Sequence, residues 1–187
     1  MIFGDDGIVK IQGVNPDTEI TIDSRLFKLF ELPAGDFIYN SLESQQFESG
    51  GNDKIYALVG NNVIIGGLGE DAIETGAGID SIIGDRGKID FNKMLPEALE
   101  SMDEIDSANN GDTIIAGDGD NIVIGGLGND SITTGTGDDI VVGDNGKVTM
   151  EYDSNQGAMV LKTAVNKEEE IKGDNTYTLG PGNNTQK

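Results

Sequence analysis

Asp53, Asp71 and Asp80 recur with Asn62 on a nine-residue period, and Asp112, Asp130 and Asp139 do so again with Asn121. Such side chains offer hard oxygen donors, which Ca²⁺ prefers. In residues 48–83 the sixth place of successive nonapeptides holds Asp53, Asn62, Asp71 and Asp80, and the eighth holds Ile55, Ile64, Ile73 and Ile82. In residues 107–142 the sixth place holds Asp112, Asn121, Asp130 and Asp139, and the eighth Ile114, Val123, Ile132 and Val141. Gly66, Gly69, Gly76, Gly78, Gly125, Gly128, Gly135 and Gly137 precede acidic places. Glycine tolerates the positive φ that coils a chain tightly and turns several carbonyls toward one point, so these residues join the candidate metal site.

Other chemistries find little support. Cys and His are both absent, which removes disulfides, most Zn²⁺ and Cu²⁺ sites and histidine-based catalysis. There is no G-x-S-x-G and no phosphate loop. Carboxylate pairs of the kind that cleave glycosides exist, but almost all fall in the nine-residue register, where a structural role is simpler. The chain is therefore expected not to be an enzyme, and polysaccharide cleavage is the one activity that merits an assay. A net charge of −22, from 34 acidic and 12 basic residues, argues against nucleic acid and anionic membrane surfaces. It calls for cations instead. No apolar run approaches the length of a membrane helix, so no membrane insertion is expected.

The acidic places need elements to position them. Each unit reads as a turn, G-G-x-G-x-D, followed by a short strand, x-U-x, whose large aliphatic residue U points inward. Gly66 to Gly87 returns as Gly125 to Gly146, and Asp53 and Asp112, like Gly84 and Gly143, lie 59 residues apart. With 28 Gly in 187 residues and no Trp, a single globular core would be thin, and a solenoid of stacked turns fits better. The repeat G-G-x-G-x-D-x-U-x resembles the RTX-type calcium-binding nonapeptide, over the two blocks and the fragments at each end.

That resemblance implies an all-β fold, a right-handed parallel β-roll or β-helix solenoid; the β-hairpin-like insertions that interrupt it lie outside the resemblance and are read from alternating residues. Two nonapeptides make one coil, so alternate turns share a side. It implies several Ca²⁺ ions, each between sixth-place residues of units n and n+2. The expected pairs are Asp53 with Asp71, Asn62 with Asp80, Asp112 with Asp130, and Asn121 with Asp139, completed by turn carbonyls. The neutral Asn62 and Asn121 should weaken their sites. Binding should be coupled to folding, because without the ion like charges lie close together.

Along the chain, residues 1–9 read as the end of a preceding block and 10–47 as an insertion. Ile8–Ile11, at the junction of the two, and Glu19–Ile22 flank a turn at Val14–Asp17 as a hairpin, and Arg25–Phe30 suits a short helix or a strand. Block 1 spans 48–89, an insertion 90–106, block 2 107–148, a hairpin insertion 149–172, and a truncated block 173–187. Pro96–Glu100 reads as the start of a helical turn with Pro first. In the three Gly-Asp-x-Gly copies, Asp5, Asp85 and Asp144 take the second place, either capping a terminal site or bonding their own backbone. The sixth place there falls on Ile89 or Val148, so the metal pattern should stop; Asn175 resumes it without an n+2 partner. Glu70, Asp120 and Asp138 read as solvated.

Both ends look like cuts through a longer array. The resemblance implies a secreted or cell-surface bacterial protein, exported unfolded and folded in external calcium. The expectation is an adhesin-like structural module, monomeric as a fragment. The alternative is an accessory export and folding segment of a secreted enzyme or toxin. The insertions either line one face to bind a glycan, mineral or protein, or cover sheet edges; edge cover is the expectation, and no residue identifies an external partner.

Overall fold

The computed structural model describes residues 2–3, 7–12, 18–22, 38–44, 50–92, 95–102, 110–166 and 175–187. The sequence-based expectations for Asp5, Val14–Asp17 and Arg25–Phe30 lie outside them, as do residues 167–174. In chain order the strands are β1 (Ile2–Phe3), β2 (Gly7–Gln12), β3 (Thr18–Ile22), β4 (Ile38–Ser44), β5 (Lys54–Tyr56) and β6 (Val63–Ile65). There follow β7 (Ala72–Glu74), β8 (Ser81–Ile83), β9 (Gly87–Asn92), β10 (Leu95–Ser101), β11 (Thr113–Ala116) and β12 (Ile122–Ile124). The last are β13 (Ser131–Thr134), β14 (Ile140–Val142), β15 (Gly146–Asp153), β16 (Ala158–Asn166), β17 (Thr176–Thr178) and β18 (Thr185–Gln186).

Glycine-rich turns allow only short strands between them, and these stack into two parallel sheets as a β-roll. One sheet runs β5-β7-β11-β13-β17 and the other β1-β6-β8-β12-β14-β18. The eighth-place residues Ile55, Ile64, Ile73, Ile82, Ile114, Val123, Ile132 and Val141 fill the space between the sheets, each at most 2% exposed. Ile73 pairs with Ile55 on one side and Ile114 on the other; Val123 lies between Ile82 and Val141.

The two repeat blocks are thus one continuous roll. β11 pairs directly with β7, and β12 with β8, so the insertion between them leaves the stack and re-enters it one rung later. Ile89 and Val148 do not hold a sixth place. They are buried in another sheet, the antiparallel β16-β15-β10-β9-β4-β2-β3.

That sheet collects the hairpins. β2 pairs with β3, β9 with β10 and β15 with β16, all antiparallel, and β4–β9 and β10–β15 contacts join them side by side. It does not cover sheet edges, as the sequence suggested; it covers a face. Ile89, Leu99 and Val148 form a second core with Ile65, Ile83, Ile122, Ile124, Ile140 and Val142, the outward side of the β6-β8-β12-β14 strands. β8, β12 and β14 are therefore buried at every residue, whereas β5 and β11 alternate exposed and buried. A parallel sheet buried on both faces reads as a continuous apolar run, which Ile122-Val123-Ile124 and Ile140-Val141-Val142 display.

The helical turn expected at Pro96 is instead strand β10. Leu99 pairs with Ile89 in β9 and with Val148 in β15, and none of the three is exposed. Extended pairing on both sides buries Leu99 where a single helical turn could not. Pro96 lies beside a register shift, where the missing N–H is tolerated.

Candidate metal centre

On one side of the roll the sixth-place residues form a column: Asp53, Asp71, Asp112, Asp130 and Asn175. Each backbone N–H donates to the side-chain Oδ1 one rung on, at 2.8 Å in every step. Separations of 18 residues inside a block become 41 and 45 across the insertions. The opposite column is Asn62, Asp80, Asn121, Asp139 and Asn184, linked the same way at 2.8–3.0 Å. The expected n/n+2 neighbours stand together. Further neighbours missed in sequence, Asp71 with Asp112 and Asp80 with Asn121, bridge the blocks. Asn175 and Asn184 have rung neighbours in Asp130 and Asp139.

In Asp80, Asp130 and Asp139 a backbone N–H holds Oδ1, which leaves the second oxygen for another task. Asp80, Asp130 and Asp139 are at most 1% exposed, and no hydrogen bond reaches their Oδ2. A buried carboxylate oxygen without donor or cation is costly. The asparagine turns reveal what surrounds that spot. Asn121 Nδ2 lies 2.8 Å from Gly117 O, 2.9 Å from Gly119 O and 3.1 Å from Asp139 Oδ1. Asn62 Nδ2 makes the same three contacts with Leu58 O, Gly60 O and Asp80 Oδ1. Second- and fourth-place carbonyls thus converge with the next rung's carboxylate on one point, a cradle of oxygens suited to a hard cation. Among the described residues no group of three or more acidic side chains gathers to hold a metal, so an ion here would need carbonyls for much of its shell.

The glycines serve this geometry. Gly128, at φ +106°, adopts a conformation that L side chains avoid. At Gly66 an added Cβ would sit 2.7 Å from Asp71 Oδ2. Gly69, Gly78 and Gly137 share the positive φ, while Gly76, Gly125 and Gly135 pack against neighbouring turns too closely for a side chain.

Asp85 is fully buried, and its Oδ2 accepts from Leu127 N–H of the next rung. That bond reaches across the stack rather than to a neighbour in sequence. Asp144 Oδ1 accepts from Asn175 Nδ2 at 3.1 Å. The fifth-place residues Glu70, Asp120 and Asp138 are exposed, and they also take part in bonds between rungs. Asp120 Oδ1 accepts from Asp138 N–H, and Asp138 Oδ1 from Asn183 N–H. Asn52 and Asn61 receive Glu70 and Ile79 N–H in the same way. The recurrence of Asn and Asp at this place was the available signal.

Burial pushes the Asp130 carboxyl up to about 7; the Asp112 N–H opposes the rise and the Asp144 carboxylate adds to it. Burial raises Asp53 as well. Asp130 thus binds its proton more tightly folded than unfolded, so its contribution to calcium-free stability is fully present in acid and is lost as pH rises through about 7. Calcium-stripped protein is expected to melt higher at about pH 5 than at about pH 8. Calcium affinity should fall as pH drops through about 7, because the ion must displace this proton. A calcium-free melting temperature that climbs steadily over that range would contradict the assignment of a buried, donor-poor Asp130.

Residues 49–82, 107–141 and 115–149 match the sequence profile of the RTX calcium-binding nonapeptide repeat, in four copies. No curated protein and no solved structure matches the chain.

Proposed function

We propose that this chain, whose repeat blocks are RTX calcium-binding nonapeptide repeats, is a calcium-stiffened structural module of a secreted or cell-surface bacterial protein, adhesin-like in role. The observation that carries the reading is the pair of aspartate columns: Oδ1 of Asp71, Asp112, Asp130, Asp80 and Asp139 accepts a backbone N–H from the neighbouring rung, and the buried Oδ2 of Asp80, Asp130 and Asp139 meets no hydrogen-bond donor. Calcium would supply the positive charge that 34 acidic against 12 basic residues lack.

The chain's own groups would do the rest. Asp53, Asp71, Asp112 and Asp130 would present carboxylates on one side, Asp80 and Asp139 on the other. Oδ1 keeps the rungs in register, and the donor-free Oδ2 of Asp80, Asp130 and Asp139 would be available to the ion. Each ion would join two rungs, so binding and stacking proceed together. Where calcium is scarce, carboxylate repulsion and a slim inner core leave the roll weak.

The alternative is an accessory segment that assists export and folding of a catalytic or pore-forming domain elsewhere in a longer polypeptide. The second core between hairpins and roll favours the structural module, because an export signal has no need of a covered sheet.

Circular dichroism and thermal melting across a calcium titration to about 10 mM, a range that brackets extracellular-type affinities, test the proposal. A cooperative gain of β signal and a rising melting temperature are expected. Spectra and melting that ignore calcium would refute it.

A further inference from the structure

The two columns differ chemically. One carries aspartate at four successive rungs and ends in Asn175; the other alternates Asn62, Asp80, Asn121, Asp139 and Asn184. The asparagine amides sit within hydrogen-bond reach of all three oxygens of their cradles, as given above. Asn184 Nδ2 repeats part of this with Gly180 O at 2.8 Å. Amide orientation is fixed from outside the cradle, because Asn121 Oδ1 accepts the buried Asp80 N–H at 3.0 Å and so turns Nδ2 inward.

We propose that Asn62 and Asn121 are built-in replacements for the ion: their NH₂ groups close these two turns without calcium and exclude it. The inference rests on the calcium reading of the aspartate turns and goes beyond it. An asparagine at a sixth place would ordinarily count as a weaker, neutral ligand. At Asn121 the oxygen accepts the Asp80 N–H and the nitrogen, which cannot ligate a cation, fills the cradle; Asn62 places its nitrogen in the same way. Charge supports this: the amide hydrogens meet two carbonyls and one carboxylate oxygen, the same set that would draw a positive ion. Asn121 is fully buried, so its three contacts form with water excluded and hold at any calcium concentration. The second column is therefore half self-sufficient, with ion-accepting turns at Asp80 and Asp139 set between amide-closed ones.

Asn121→Asp tests the idea in the intact chain. The change removes the amide donors and sets a carboxylate against Asp139 Oδ1. Calcium-free melting should fall by about 5 °C or more. Saturating calcium should restore most of the loss, and the bound-calcium count, read by equilibrium dialysis with elemental analysis, should rise by one. Asn62→Asp, nearer the end of the stack and partly exposed, gives the same readout should the first variant fail to fold. Wild-type protein that binds calcium alongside variants with an unchanged count would overturn the surrogate role and leave the aspartate sites standing. A wild-type count of zero would overturn the calcium reading itself and this inference with it.

Discussion

Asp130→Ala is expected to lower the melting temperature in saturating calcium by about 10 °C or more, and much less in calcium-free buffer. Two losses add when calcium is present. The Asp112 N–H, now buried without its acceptor, costs about 1–3 kcal/mol. A carboxylate also disappears from the cradles shared with Asp112 and with the Asn175 rung; at 100-fold over Kd a lost ion forfeits about 2.7 kcal/mol. Without calcium the first loss remains, but the protein is also relieved of a buried carboxylate whose pKa stands at about 7. The two terms oppose each other there.

Asp130→Asn separates them. It keeps an Oδ1 acceptor and brings an amide that the Gly126 and Gly128 carbonyls can receive, as Gly117 and Gly119 receive Asn121. It should lose calcium yet melt close to or above wild type in calcium-free buffer. Equal shifts for Asp130→Ala with and without calcium would mean that Asp130 is only a hydrogen-bond acceptor, and the metal role would fall.

The nine-residue period made the inner core legible, because an aliphatic residue every ninth place lands each time on the inside of a short strand. The same period placed the acidic residues on alternate sides of the roll. What it could not reveal is which rung follows an insertion. Asp71 meets Asp112 at a separation of 41 and Asp130 meets Asn175 at 45, distances that depend on where a hairpin re-enters the stack. The Gly-Asp-x-Gly turns accordingly looked like ends of the metal pattern. Their sixth places are supplied from beyond the insertion, by Asp112 and Asn175, while Ile89 and Val148 turn into the second core.

The destination of the hairpins did leave a trace. Strands of the covered sheet read Val-Ile-Ile, Ser-Ile-Ile, Ile-Val-Ile and Ile-Val-Val; those of the other read Lys-Ile-Tyr and Ala-Ile-Glu. Apolar residues on both sides of the eighth place, in three of the four covered strands, mark a sheet that needs cover on its outer face. Pro96 misled for a local reason: a proline that could start a helix serves equally at a strand irregularity, and only pairing with β9 and β15 decides between them.

Leu99→Asp should damage the protein in a way that calcium cannot repair. Leu99 is fully buried between Ile89 and Val148 and faces the outward side of β8 and β12. Truncating a buried leucine to alanine costs about 2–5 kcal/mol, and a buried, unpaired carboxylate costs more. A typical domain has only about 5–15 kcal/mol in total. The substitution touches no turn oxygen, so calcium should still order the inner stack, which has its own core of Ile55, Ile64, Ile73, Ile82 and their successors. The antiparallel sheet, by contrast, should detach and bare the apolar face formed by Ile65, Ile83, Ile124 and Val142. Exposed patches of this kind drive association. The expected result in saturating calcium is a retained calcium count, increased binding of a hydrophobic dye and sedimentation as oligomers, with Leu99→Ala intermediate. Should Leu99→Asp remain monomeric and dye-negative with wild-type melting, the hairpins would not be the structural cover of the roll, and a ligand-binding role for their outer surface would become the better reading.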